Sequence, residues 1–241
     1  IFTGCLLDFV YVDIATDVVK ALNMAGYIVE MPLGQACCGA PATYMGDVEN
    51  AKKAAEMNLN AMEAEKYDYI VSACPTCTHA LRDYVDFFKD DPEMLKKAEE
   101  LRSKTFDFCK LVSMLGGLPD TGDGVPMKVT YHDSCHLNRY LGVTKEQREL
   151  LKATKGVELI EMHDCDKCCG FGGSYSVKFP EMSAPILEEK INNIVASGAD
   201  VVAVDCPGCL LQIRGGLDAR GLNNIQVKHT AQIVVEKREK K

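Results

Sequence analysis

The sequence predicts an α/β protein built from two duplicated Rossmann-like lobes, with parallel sheets related by a pseudo-twofold. Short apolar strand-like runs alternate with stretches of helical periodicity, the pattern of parallel sheets covered by helices. The second half also repeats the first. Cys5, Cys37, Cys38, Cys74 and Cys77 are followed, at offsets of 130, 131, 131, 132 and 132, by Cys135, Cys168, Cys169, Cys206 and Cys209. Tyr44 and Tyr175 correspond at an offset of 131. In each set a lone cysteine precedes an adjacent pair followed by glycine, Cys37-Cys38-Gly39 or Cys168-Cys169-Gly170. A Cys-Pro-x-Cys closes each set, Cys74-Pro75-Thr76-Cys77 or Cys206-Pro207-Gly208-Cys209.

Taken in order, residues 1–4 are a short apolar run that reads as the end of a strand delivering Cys5. Ile14, Val18, Val19, Leu22 and Ala25 have helical spacing, and Gly26 stops that helix. Residues 27–31 read as a strand closed by Pro32, after which comes the first Cys-Cys-Gly loop. Asp47 is placed to cap a helix running to about residue 65. The apolar run 69–73 is a buried-type strand delivering Cys74, and a helix is expected over 78–88.

In the second half, strands are expected at 127–132, 157–161 and 200–205, the last delivering Cys206. Helices are expected at 145–155 and 181–196. Between the halves lie a charged helix and the turn-rich stretch 116–124, which places the boundary between lobes 1–115 and 116–241. Folds of this class gather ligands at the carboxyl ends of strands, so all five thiols of a set are expected at one sheet edge. Cys109, at helical spacing among Phe106, Phe108, Leu111 and Val112, reads as a buried core thiol.

With 241 residues, 47% hydrophobic and 26% charged, the composition is that of a globular protein large enough for one or two cores. The net charge of −8 argues against nucleic acid, which needs clustered Lys and Arg. The tail Lys237-Arg238-Glu239-Lys240-Lys241 reads as a solvated end. No apolar run approaches the ~18 residues of a membrane span, and no secretory signal is visible. A reducing, cytoplasmic setting is therefore expected. There, twelve cysteines more often hold metal or do redox work than form disulfides.

Thiolates are soft ligands that suit iron–sulfur clusters and zinc. Five per set exceed the four of an ordinary cluster or structural zinc site. Each set therefore holds either a larger or irregular cluster, or four ligands and one reactive thiol; zinc sites that merely brace loops are the alternative. A thioredoxin-like dithiol does not explain the duplicated Cys-Cys-Gly. His132 and His136 flank Cys135 and read as packing behind the thiols, with proton supply the alternative role. His79, His163 and His229 read as structural, and Cys165, which lacks a first-half counterpart, as a spare thiol. Gly170-Phe171-Gly172-Gly173 fails the dinucleotide fingerprint because Tyr175 stands at its last glycine position.

The two sets resemble the cysteine-rich CCG domain of heterodisulfide reductase, and of the iron–sulfur subunits of glycolate oxidase and lactate-utilisation oxidoreductases. The likeness covers nearly the whole chain. It extends to Tyr131-His132-Asp133-Ser134-Cys135-His136-Leu137 and to Cys206-Pro207-Gly208-Cys209-Leu210-Leu211-Gln212-Ile213, which are close to the glycolate and lactate branch. The resemblance implies an electron-transferring subunit of an oxidoreductase complex with two clusters of 4Fe–4S type, non-cubane in the heterodisulfide reductases. Their ligands would be Cys5, Cys37, Cys38, Cys74 and Cys77 in one set, and Cys135, Cys168, Cys169, Cys206 and Cys209 in the other. Some relatives are thought to hold zinc in one site. The ferredoxin module that feeds electrons to such domains is absent from this sequence, so electrons are expected from a partner subunit or from sequence preceding Ile1. The implied partners are ferredoxin-like and flavoprotein subunits, through which a membrane could be reached without a span of the chain's own. The implied reaction is heterodisulfide reduction, or electron transfer from a 2-hydroxy-acid oxidase.

Overall fold

The computed structural model describes residues 1–119 and 124–238. The first half runs α1 (Gly4–Phe9), α2 (Val12–Met24), α3 (Ala40–Tyr44), α4 (Val48–Met62), β1 (Ile70–Ser72), α5 (Pro75–Asp83), α6 (Pro92–Lys104), β2 (Thr105–Asp107) and α7 (Phe108–Met114). The second runs β3 (Met127–Tyr131), α8 (Glu146–Lys152), β4 (Val157–Leu159), α9 (Tyr175–Lys178), α10 (Pro180–Ser197), β5 (Val201–Val204), α11 (Pro207–Ala219), β6 (Gln226–His229) and α12 (Thr230–Glu236). Both sheets are wholly parallel, with orders β1-β2 and β4-β3-β5-β6. Strand β5, Val-Val-Ala-Val, is buried at every residue, as a parallel strand covered on both faces must be.

The duplication is visible in the hydrogen bonds. Phe2 N donates to Val71 O at 2.9 Å, and His132 N to Ala203 O at 3.0 Å. Residues 1–3 thus lie beside β1 as β3 lies beside β5. The strand expected at 27–31 does not form. Ile1 N reaches Glu30 O at 2.6 Å, but Ile28 is 93% exposed. A three-residue neighbour offers too few rungs to hold an edge strand flat, so this stretch stays irregular. The helix α1 likewise begins at Gly4, within the run read as strand.

Strands β2 and β6 escaped the sequence reading, and they repeat as well. Strand β2 follows α6 with no turn between them, and β6 carries Val227 as its one buried aliphatic residue. Each runs straight into a helix capped by its own last residue. Asp107 Oδ1 accepts from Cys109 N at 2.9 Å, and His229 Nδ1 accepts from Ala231 N at 3.0 Å. The helices then exchange sides. First-half α7 packs on second-half α8, and second-half α12 packs on first-half α2. One continuous buried core accordingly draws on both halves.

His229 closes this junction. Because its Nδ1 accepts, its Nε2 carries the proton, and that atom lies 3.1 Å from both Ala73 O and Asp205 O. These are the residues immediately before Cys74 and Cys206. Asp205 also accepts from the Tyr131 hydroxyl and from Cys109 Sγ, the latter at 3.5 Å. Cys109 is fully buried, as expected from its spacing.

The tail reading is corrected at Lys237 and Arg238, which are buried. Lys237 Nζ donates to Val125 O, and Arg238 donates to Pro119 O, Thr154 Oγ1 and Val234 O. The end of α12 therefore covers the ends of the inter-lobe segment, whose carbonyls supply the acceptors. Residues 120–123 of the turn-rich stretch, and 239–241 of the tail, lie outside the described residues. Among the described residues no helix is long and apolar enough to cross a membrane.

Asp47 caps α4 through Asn50 N, and Asp91 caps α6 through Met94 N. Asp47→Ala and Asp91→Ala are each expected to lower unfolding stability by about 1 kcal/mol in denaturant titration, without disturbing the cysteine site.

Candidate metal centre

Strands β1 and β5 each end by turning directly into a helix. The turning residues are Cys74 and Cys206, in extended conformation, followed by proline in the first turn of α5 or α11. Cys77 and Cys209 stand one turn further on and face the same way. The two turns superpose in their bonding, with Thr78 N to Cys74 O and Leu210 N to Cys206 O both 2.9 Å. Cys5 enters at the start of α1, and Cys135 immediately before a π-type turn, His136–Tyr140.

The adjacent cysteines are pinned from behind. Gly39 and Gly170 have φ of +81° and +85°. A Cβ on Gly39 would lie 3.2 Å from Ala51 O, and one on Gly170 would lie 2.7 Å from Ser183 O. In the first half Asn58 Nδ2 donates to Cys37 O at 3.0 Å, and the Tyr84 hydroxyl donates to Cys38 O at 3.0 Å. In the second half Lys190, at an offset of 132 from Asn58, donates its buried ammonium to Asp164 O and Cys165 O. Sequence reasoning missed both clamps, although the offset was available to find them. Gly170→Ala is expected to destabilise by more than the roughly 1–2 kcal/mol of a left-handed alanine, because it also meets backbone. Gly39→Ala should cost less, and thermal melts of the two variants check the order.

All ten cysteines of the two sets line one cavity of about 410 Å³, walled mainly by apolar surface. They do not form two separate pockets, because Cys74 and Cys206 share a hydrogen bond across the junction that His229 ties. Cys109 and Cys165 are absent from the lining. Cys165 instead donates to Asp133 Oδ2 at 3.3 Å and receives Arg148 Nη2 at 3.4 Å. Arg148 also grips Asp133 through two nitrogens at 2.9 and 2.8 Å, bracing the chain just before Cys135.

The thiols form a proton-sharing network. Hydrogen bonds from Cys38 and Cys5 pull Cys37 down to about 2, while the bond to Cys37 pushes Cys38 up to about 12. Hydrogen bonds from Cys168 and Cys209 hold Cys169 far below the thiol range, with His132 adding to them. Cys206 is lowered by Cys209 and Cys74. Cys5, Cys74, Cys77, Cys168 and Cys209 are raised, chiefly as donors to neighbouring sulfurs, and Cys135 is raised by burial. Negative charge thus concentrates on the half-buried Cys37 sulfur in the first half and on the buried Cys169 and Cys206 sulfurs in the second, where a bound cation would neutralise it.

Both histidines beside Cys135 line the cavity. His136 spans the halves at its wall. Its Nδ1 is 2.9 Å from Thr76 Oγ1, its Nε2 is 3.1 Å from the Tyr44 hydroxyl, and its ring stacks on Tyr44. His132 is buried, and its ligand atom lies within 4.8 Å of the sulfurs of Cys169 and Cys209. Sequence reasoning placed it near the thiols without finding this contact. His229 is structural, as read.

Soft-metal chemistry fits this donor set. All twelve cysteines are free. Next to the second set, His132 Nδ1 and Ser134 Oγ are buried without a hydrogen-bond partner. A duplicated α/β fold that brings ten unpaired thiols to one cavity defines a cysteine-rich, metal-binding class of protein. The family comparison makes this specific: the model of the CCG cysteine-rich domain matches residues 1–82 and 129–214, and the chain belongs to that family. Among curated proteins it is similar to lactate utilization protein A of Shouchella clausii, with 40% identity over 238 residues and 98% of each chain covered. It is also similar to the proteins of that name from Bacillus velezensis, at 37% identity, and Bacillus subtilis, at 36%, each over 235 residues and 97% of both chains.

Proposed function

We propose that this chain is the iron–sulfur electron-transfer subunit of a lactate-oxidising complex, holding one cluster in each cysteine set. The observation that carries the reading is the shared cavity with five free thiols from each half. Four-ligand zinc sites would leave a thiol over in both halves. When bound, an iron–sulfur cluster supplies reversible one-electron storage. The chain's own residues do the rest. Cys5, Cys37, Cys38, Cys74 and Cys77 would hold one centre, and Cys135, Cys168, Cys169, Cys206 and Cys209 the other. Gly39 and Gly170 would let the paired cysteines approach them, and burial keeps water from the sulfurs of Cys38, Cys74, Cys77, Cys169, Cys206 and Cys209. Cys74 and Cys206, hydrogen-bonded to each other, would set the two ligand sets side by side. The division into halves at 115/116 belongs to this reading, with α7 and α12 reaching across it.

Lactate as the ultimate electron source comes from the relatives' name, and the electrons would arrive through a flavoprotein partner. Reduction of a disulfide substrate is the second reading, favoured by the single cavity open between the sets. Anaerobic protein reconstituted with iron and sulfide tests both. Bleaching of its visible absorption by lactate plus the co-expressed flavoprotein supports the first reading. Oxidation of the reduced protein by a thiol heterodisulfide, with no response to lactate, supports the second.

A further inference from the structure

The duplication pairs every cavity-lining cysteine with a counterpart, but it pairs His132 with phenylalanine. The offset of 130 that relates Cys5 to Cys135 relates Phe2 to His132. The backbone agrees, since Phe2 N and His132 N make the same bond to the neighbouring strand, at 2.9 and 3.0 Å. The side chains occupy equivalent places too. A Cβ on Gly4 would lie 3.1 Å from Phe2 Cε1 and 3.2 Å from Cys77 Sγ, which sets the phenyl ring beside the counterpart of Cys209. The His132 ring lies within 4.8 Å of the Cys169 and Cys209 sulfurs. Phe2 and His132 are both buried, at 0% and 1% exposure.

We propose that His132 donates a hydrogen bond to the Cys169 sulfur and thereby makes the second-set centre easier to reduce than the first, where Phe2 offers no donor. The inference rests on the iron–sulfur reading of the cavity. Reduction adds negative charge to a cluster and its ligand sulfurs, and a donor aimed at one of those sulfurs stabilises the reduced state. Away from water that stabilisation is stronger. A neutral imidazole suffices in the tautomer that carries its proton on the nitrogen facing the sulfur. The other nitrogen, Nδ1, has no protein partner to compete for the ring's orientation. This donor gives the pair of sites a direction: an electron delivered to the first set runs downhill to the second, with the buried Lys190 ammonium, which replaces Asn58, acting in the same sense.

The test is a redox titration of the anaerobic full chain followed by electron paramagnetic resonance, on wild type, His132→Phe, His132→Gln and Phe2→His. His132→Phe should keep its iron and sulfide. It should lower the reduced-to-oxidised ratio of one centre by about tenfold at fixed potential, the 59 mV of a one-electron couple, and leave the other centre unmoved. His132→Gln, which keeps a donor, should recover most of the shift, and Phe2→His should raise the other centre. Unchanged midpoints in iron-replete His132→Phe would overturn the inference. So would loss of one centre's iron, which would make His132 a ligand. Wild-type protein that takes up neither iron nor sulfide would overturn the iron–sulfur reading first, and this inference with it.

Discussion

Cys38→Ser and Cys169→Ser are each expected to remove about half of the iron and sulfide bound by the anaerobic protein, as single ligands of separate clusters. The two residues are counterparts at an offset of 131, and each is buried behind a glycine whose backbone sits against a neighbouring helix. Serine preserves the volume of cysteine but replaces a soft sulfur with a hard, weakly acidic hydroxyl. The two sets meet at Cys74 and Cys206, yet no cysteine belongs to both, so damage to one should spare the other. The double variant should bind almost no iron. Complete loss from either single variant would mean one shared centre and would refute the assignment of one cluster per set.

His229→Phe is expected to be the most destabilising single change outside the cysteines. Three buried backbone groups depend on this ring: Ala231 N, Ala73 O and Asp205 O. Phenylalanine fills the space but satisfies none of them. At about 1–3 kcal/mol for each buried group left without a partner, the loss is a large part of a domain's stability. Two of the groups immediately precede Cys74 and Cys206. A His229 variant that still folds should therefore also let the two sets drift apart, read as a weaker magnetic interaction between the centres. His229→Gln, which offers an acceptor and a donor, should recover part of the melting temperature.

Much of this arrangement was legible in the sequence because it is repeated. Ten cysteines at offsets of 130 to 132 identify the two sets, and the strands that deliver Cys74 and Cys206 are continuous apolar runs. The parts that escaped are those whose stability comes from tertiary partners. Strand β6 is held by a buried histidine that local pattern rules treat as polar, and β2 is only three residues long. Residues 27–31 look like a strand by composition, but they have one short neighbour to pair with. Lys237 and Arg238 look like a solvated tail because most of the acceptors that receive them, Val125 O, Pro119 O and Thr154 Oγ1, lie more than eighty residues away in the chain. The junction between the sets rests on the exchange of α7 and α12, which no local signal records.

The most direct measurement is an anomalous difference map at the iron edge from anaerobically grown crystals of the reconstituted chain. Two distinct groups of iron peaks should appear, one within reach of Cys5, Cys37, Cys38, Cys74 and Cys77, the other among Cys135, Cys168, Cys169, Cys206 and Cys209. A single group bridging the sets, zinc in place of iron, or thiols joined as disulfides would contradict the account.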